Sequence, residues 1–144
     1  MNDKIVEIEV LEGGKLPSKA HPSDAGLDVF ATSDVKLTSG VVVKHPLNIR
    51  IKFPKGVWGR IETKSGLGAK GMITWSGIID SCYRGIPHVI ATNLTCDGKI
   101  EIKAGQKLAQ LILEPYSPDY IIVQIDHIDT ATERGEGGFG SSGK

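Results

Sequence analysis

Short runs of alternating apolar and polar residues, each closed by glycine, proline or a small polar pair, set the rhythm of this chain. Ile5-Val6-Glu7-Ile8-Glu9-Val10-Leu11 alternates apolar and acidic side chains as a strand with one buried face does, and it stops at Gly13-Gly14. After an irregular loop over 16–22, residues 25–31 read as a second strand. Leu27 and Val29 share one face of it and Asp28 points to the other. Three short strands follow over 35–37, 41–43 and 47–53, divided by Ser39-Gly40 and by Pro46. Pro54-Lys55-Gly56 turns the chain into a strand over 57–64, which runs into the glycine-rich stretch Ser65-Gly66-Leu67-Gly68-Ala69-Lys70-Gly71. Ile78-Ile79 reads as the buried end of a strand, Asp80, Ser81 and Gly85 as turn chemistry, and 86–90 as resumed strand, which together predict a hairpin. Strands over 89–93, 100–102, 107–113 and 120–125 complete the pattern. This is the rhythm of an all-β domain.

Composition narrows the picture. A chain of 144 residues fits one domain with a real core. Lysine plus arginine equals aspartate plus glutamate at 17 each, so no global field draws the protein to nucleic acid or an anionic membrane, and anion binding must be local. The first 30 residues lack a signal pattern and no apolar run reaches the roughly 18 residues of a membrane span. A soluble, intracellular protein is expected. Cys82 and Cys96 have neither metal-ligand spacing nor the density of a disulfide framework, and reduced thiols are their default.

Four stretches carry candidate chemistry. Gly77-Ile78-Ile79-Asp80-Ser81-Cys82-Tyr83-Arg84-Gly85 delivers a carboxylate, a phenol and a guanidinium into a turn, although Asp80 and Ser81 could equally be turn formers. Ser65 could cap one helical turn that attracts a phosphate, with Arg60, Lys64 and Lys70 near it, or belong to a plain glycine-rich loop. Gln110 sits in an otherwise apolar run, where an unpartnered buried amide would cost about 1–3 kcal/mol; either a ligand or a backbone group satisfies it. The tail over 132–144 places Arg134 and Phe139 among glycines, as a disordered end or as a lid. Gly135-x-Gly137-x-x-Gly140 matches a dinucleotide fingerprint but no helix follows it, and Gly138-x-x-x-x-Gly143-Lys144 lacks the serine or threonine and helix of a P-loop. Both motifs are rejected.

Taken in order, residues 25–31, 59–71, 77–85, 105–113 and 134–143 resemble the five motifs of the homotrimeric deoxyuridine triphosphatase (dUTPase) family, and the resemblance covers nearly the whole chain. It implies an all-β, distorted jelly-roll (β-clip-like) domain over 1–133 with at most one short helix after Ser65, and a glycine-rich arm over 134–144 that closes over an active site shared between three subunits. The implied reaction converts dUTP and water to dUMP and pyrophosphate, limiting uracil in DNA and supplying dUMP for dTTP synthesis. In that reading Asp80 is the general base for water attacking the α-phosphorus, and Gln110 helps hold the α-phosphate and water. Ser65 and the N–H groups of Gly66 and Leu67 hold the phosphate chain, with Lys64 beside them. Mg2+ bridges the triphosphate and meets Asp28 through water. Arg134 clamps the γ-phosphate with Ser141, near Gly140. Backbone groups around residues 74–79, including Gly77 and Ile79, read the uracil edge, Tyr83 packs beneath the deoxyribose, and Phe139 stacks over the base.

The chain departs from the family's usual pattern in several places. Glu62-Thr63-Lys64 replaces the common Ala-Pro-Arg, which puts a lysine point charge where a planar guanidinium is usual. Cys82 stands where an acidic residue or glycine is frequent, and Ile86-Pro87 interrupts a strand that usually continues, so pairing there is in question. The related dCTP deaminases would need a glutamate at Ile90, which speaks against deamination. A nucleotide sensor that keeps the site is the alternative from another class.

Overall fold

Extended backbone accounts for nearly all regular structure in the computed structural model, which describes residues 4–75, 77–96 and 98–136. The strands are β1 (Glu7–Val10), β2 (Gly26–Phe30), β3 (Val35–Leu37), β4 (Val43–Pro46), β5 (Ile49–Lys52) and β6 (Val57–Glu62), then β7 (Met72–Trp75), β8 (Ile78–Ile79), β9 (His88–Asn93), β10 (Ile100–Ile102) and β11 (Lys107–Pro115). A single helical turn, α1 (Ser65–Gly68), lies between β6 and β7. The fold is the all-β one expected. Among the described residues no helix is long and apolar enough to cross a membrane.

The strands form a four-stranded sheet ordered β2-β11-β6-β8, a three-stranded sheet ordered β4-β9-β7, and two antiparallel pairs, β1-β5 and β3-β10. One core joins them. Val29, Leu37, Ile49, Val89, Leu108 and Leu111 are each 1% exposed or less, drawn from five different strands. Each such side chain stabilises the fold by about 1.5–3 kcal/mol on burial. Glycine at 59 keeps β6 close to this core, because a Cβ there would sit 2.6 Å from the Phe53 ring. Asn93 is fully buried, and its amide is satisfied by donating to Gly98 O at 2.6 Å and accepting from Thr95 N and Oγ1.

Several expectations are corrected here. β8 does not form a hairpin with the strand that follows: it pairs with β6, while β9 pairs with β4 and β7. The turn after Asp80 thus connects two different sheets. Residues 120–125 are no strand. Tyr120, Ile121 and Ile122 are 83%, 87% and 97% exposed, and among the described residues no strand pairs with them. Pro46 does not divide two strands but ends β4, and the turn into β5 uses Asn48 at positive φ. Val10 is exposed, so β1 buries only part of its apolar face against β5. Pro87 costs the sheet nothing: ladder pairing starts one residue later, at Pro46↔His88, and the Pro87 carbonyl accepts from Leu47 N at 3.0 Å.

Candidate functional site

The described site residues fall into two groups. The first lies at the end of the four-stranded sheet. β2 places Asp28 opposite Gln110 of β11, and β11 places Gln110 opposite Glu62 of β6. Beyond Glu62 the chain leaves the sheet through Thr63 and Lys64 and enters α1 at Ser65. Gln110 Nε2 donates to Thr63 O at 3.1 Å, so the amide is satisfied by backbone and ties the strand to the phosphate-binding candidate loop. Gly26 makes room for it, since a Cβ there would lie 2.5 Å from Gln110 Oε1.

Asp28 does not face solvent, as an ordinary strand carboxylate would; it is 5% exposed. Lys64 Nζ binds its Oδ1 and Lys107 Nζ its Oδ2, the latter at 2.7 Å. Burial works against its charge, but hydrogen bonds from Lys107 and Lys64 outweigh that penalty and hold the carboxyl below its ordinary value. Asp28 is therefore ionised at neutral pH. Lys107 was not singled out from sequence. The only signal for it was the register of β11, and strand alternation alone puts residues 107 and 110 on opposite faces.

Ser65 is the first residue of α1 rather than its cap. Lys64 occupies the N-cap and no side chain caps the turn. Leu67 N donates to Lys64 O at 3.0 Å, so the expectation that this N–H binds phosphate conflicts with its place in the turn. Ser65 and Gly66 are exposed.

The second group lines a cleft of about 330 Å³ built from Gly77, Ile78, Ile79, Asp80 and Tyr83 on one side and Lys44, Pro87, His88 and Ile90 on the other. Each part of the sequence has a structural reason. Gly77 must be glycine because a Cβ would fall onto the Ile61 carbonyl oxygen, while Gly77 O accepts from Ile61 N at 2.8 Å. Ile79 is buried in the core and anchors the strand that ends at Asp80, and Asp80 itself is exposed. The turn closes with Tyr83 N donating to Asp80 O at 3.0 Å. Tyr83 lies over Gly85, which has no side chain to displace it, and its hydroxyl donates to Ile86 O at 3.3 Å. His88 Nδ1 lies 2.9 Å from the same carbonyl. Lys44 and His88 are further cleft residues that sequence reasoning missed, since only the β4-β9 pairing brings them there.

No residue of the Asp28 group lines the Asp80 cleft. Arg134 is exposed and does not line that cleft either. Phe139, Gly140 and Ser141 lie outside the described residues, as does residue 76 of the expected base-reading segment.

Among the described residues no three His, Cys, Asp or Glu side chains gather to hold a metal ion. Direct ligation of a divalent cation by Asp28 does not fit, because two ammonium groups already occupy its oxygens. A hard ion carried by polyphosphate oxygens and its own water needs no protein cage.

A family model described as dUTPase matches residues 12–143. The deoxyuridine 5'-triphosphate nucleotidohydrolase of Candida glabrata is 34% identical over 146 residues, covering all of both chains. The Pol polyprotein of Ovine maedi visna related virus is 39% identical over 130 residues, which are 90% of this chain but only 12% of the polyprotein. The Staphylococcus bacteriophage 80alpha dUTPase solved with dUPNHPP superposes with a TM-score of 0.86 at 25% identity, covering 97% of this chain and 99% of that one. A match across nearly the full length, joined to a full-length relative at a third identity, makes the ordered motifs more than a likeness: the chain belongs to the dUTPase family.

Proposed function

We propose that the chain hydrolyses dUTP, carried as its Mg2+ complex, to dUMP and pyrophosphate. The observation that carries this reading is the Asp80 cleft of about 330 Å³, which an exposed carboxylate and an aromatic ring line together. The uracil enters against Gly77 and Ile79, where backbone groups meet its edge, and Tyr83 packs beneath the sugar. Asp80 orients a water and takes its proton as the water attacks the α-phosphorus. Ser65 and Gly66 hold the phosphate chain beside the bond that breaks, where leaving-group charge develops. Gln110 fixes the Thr63 carbonyl and with it the approach to Ser65. Magnesium would enter on the triphosphate and would withdraw charge from its oxygens, and Asp28, already held by Lys64 and Lys107, would meet it only through water. Arg134 clamps the γ-phosphate, and Phe139, Gly140 and Ser141 close the site as a lid. Ile90 in the cleft wall supplies no acid or base for deamination.

Asp80 and Tyr83 line one cleft of the chain while Ser65 and Gln110 stand at another place, so a complete site takes its two halves from different copies. The apolar side chains exposed over 120–128 supply surface for that association, and a homotrimer with shared sites is the assembly proposed. The cell would use the product dUMP for dTTP synthesis and keep uracil out of DNA.

The test is pyrophosphate release with dUTP, dCTP, dTTP and UTP, repeated with Asp80→Asn. Release from dUTP alone, lowered by at least about a hundredfold in the variant while nucleotide binding persists, is the expected result. Full turnover by the variant removes Asp80 from the role of base. Binding without turnover in the unaltered protein makes it a sensor.

A further inference from the structure

Asp80 and Ile78 border two hollows. One is the cleft of about 330 Å³; the other, of about 370 Å³, is completed by Trp58, Ser81, Cys82 and Tyr116. β8 holds the backbone only as far as Ile79, which is buried in the core and pairs with Gly59, and the ladder ends there. The chain just beyond the carboxylate needs another hold.

Most hydrogen bonds of that turn are internal to it. Tyr83 N donates to Asp80 O, the Tyr83 hydroxyl to Ile86 O, and Arg84 to the carbonyls of Ser81 and Tyr83, while His88 Nδ1 lies against Ile86 O, so each joins residues no more than three apart. Such bonds shape a turn without fixing it against the sheets. Among the described residues one bond does fix it: the hydroxyls of Ser81 and Tyr116 share a hydrogen bond at 2.6 Å, across 35 positions of sequence. Tyr116 stands on well-held backbone, since β11 pairs with β6 as far as Pro115↔Val57 and Tyr116 N then donates to Gly56 O at 2.9 Å. β6 lies between β11 and β8, which puts those two strands about 9.5 Å apart, a gap that a tyrosine meeting a serine can close. Ser81 therefore does more than turn the chain.

We infer that Tyr116 is a positioning residue for Asp80, acting through Ser81. Its hydroxyl pins the residue after the carboxylate as β8 pins the residue before it, and a carboxylate held from both sides keeps its aim at the attacking water. Tyr116 is 40% exposed, so water competes for the bond and its worth lies in geometry more than in stability. This inference rests on the triphosphatase reading for the role of Asp80, but on the hydrogen bond alone for the hold on the turn.

Steady-state pyrophosphate release from dUTP and hydrogen exchange at the Tyr83 amide, measured on Tyr116→Phe, Ser81→Ala, their double variant, Ser81→Thr and the unaltered protein, test it. Tyr116→Phe and Ser81→Ala should each lower kcat by about fivefold, the scale of one net hydrogen bond, while KM moves less than about twofold and Tyr83 exchanges faster. The double variant should lose no more than either single one, and Ser81→Thr, which keeps the hydroxyl, should recover most of the rate. Unchanged kcat in Tyr116→Phe, a loss confined to KM, or single losses that multiply in the double variant overturns the inference. Unchanged kcat there beside lost turnover in Asp80→Asn leaves the base standing without its clamp. If the unaltered protein releases no pyrophosphate, the triphosphatase reading falls, and faster Tyr83 exchange in Tyr116→Phe upholds the hold on the turn while equal exchange removes it.

Discussion

Gly77→Ala places the heaviest demand on the geometry of the cleft. The added Cβ would land on the Ile61 carbonyl oxygen and lie 3.0 Å from Ile61 N, whereas carbon and oxygen ordinarily meet no closer than about 3.3 Å. β8 or β6 must therefore give by about 1 Å. β6 is held on its other side by β11 along six register pairs, from Gln110↔Glu62 to Pro115↔Val57, while β8 has only Gly59↔Ile79 and Arg60↔Ile78. The short strand moves. The displacement strains or breaks the 2.8 Å bond from Ile61 N to Gly77 O and loosens Ile79 in the core. Together these cost about 2 kcal/mol, the usual scale of overpacking, and lower the melting temperature by about 6 °C. Asp80 lies one residue beyond β8 and moves with it, and a misplacement of about 1 Å in a reacting group costs about a hundredfold in rate. Thermal unfolding and steady-state pyrophosphate release, measured together, check both numbers. A variant that melts lower but turns over dUTP at the unaltered rate would refute the claim that β8 sets the position of Asp80.

Two further outcomes are expected. His45 is buried and accepts from Thr32 N at 2.9 Å through Nε2, and burial followed by the charge of nearby His88 lowers its pKa from 6.5. The unfolded chain then binds a proton that the folded chain refuses, so stability is full above about pH 6.5 and falls as pH drops below it. Urea midpoints at pH 7.5 and 5.5 should differ in the unaltered protein and converge in His45→Gln; an equal acid loss in both assigns the effect to other groups. Deletion of 134–144 should leave the melting temperature nearly unchanged, since residues 134–136 are exposed and outside the core, while turnover falls strongly; unchanged kinetics would remove the lid from the mechanism.

Alternation and punctuation in the sequence determined the all-β class, most strand positions and the stretch around Asp80, because burial on one face of a strand and glycine at a turn are local demands. The order of motifs along the chain carried the family. Tertiary structure alone decided the partners. The chain between β8 and β9 looks like a hairpin turn from either side, yet the two strands enter different sheets, since pairing is chosen by the whole core and not by the loop. Residues 120–125 have the composition of a strand yet pair with no strand among the described residues, so β propensity by itself produced nothing. Asp28 reads as a solvent-facing strand residue until Lys64, 36 positions away, and Lys107 close over it. A one-residue shift in β11 turns Lys107 onto its face, and no periodicity in the sequence announces where a register will slip.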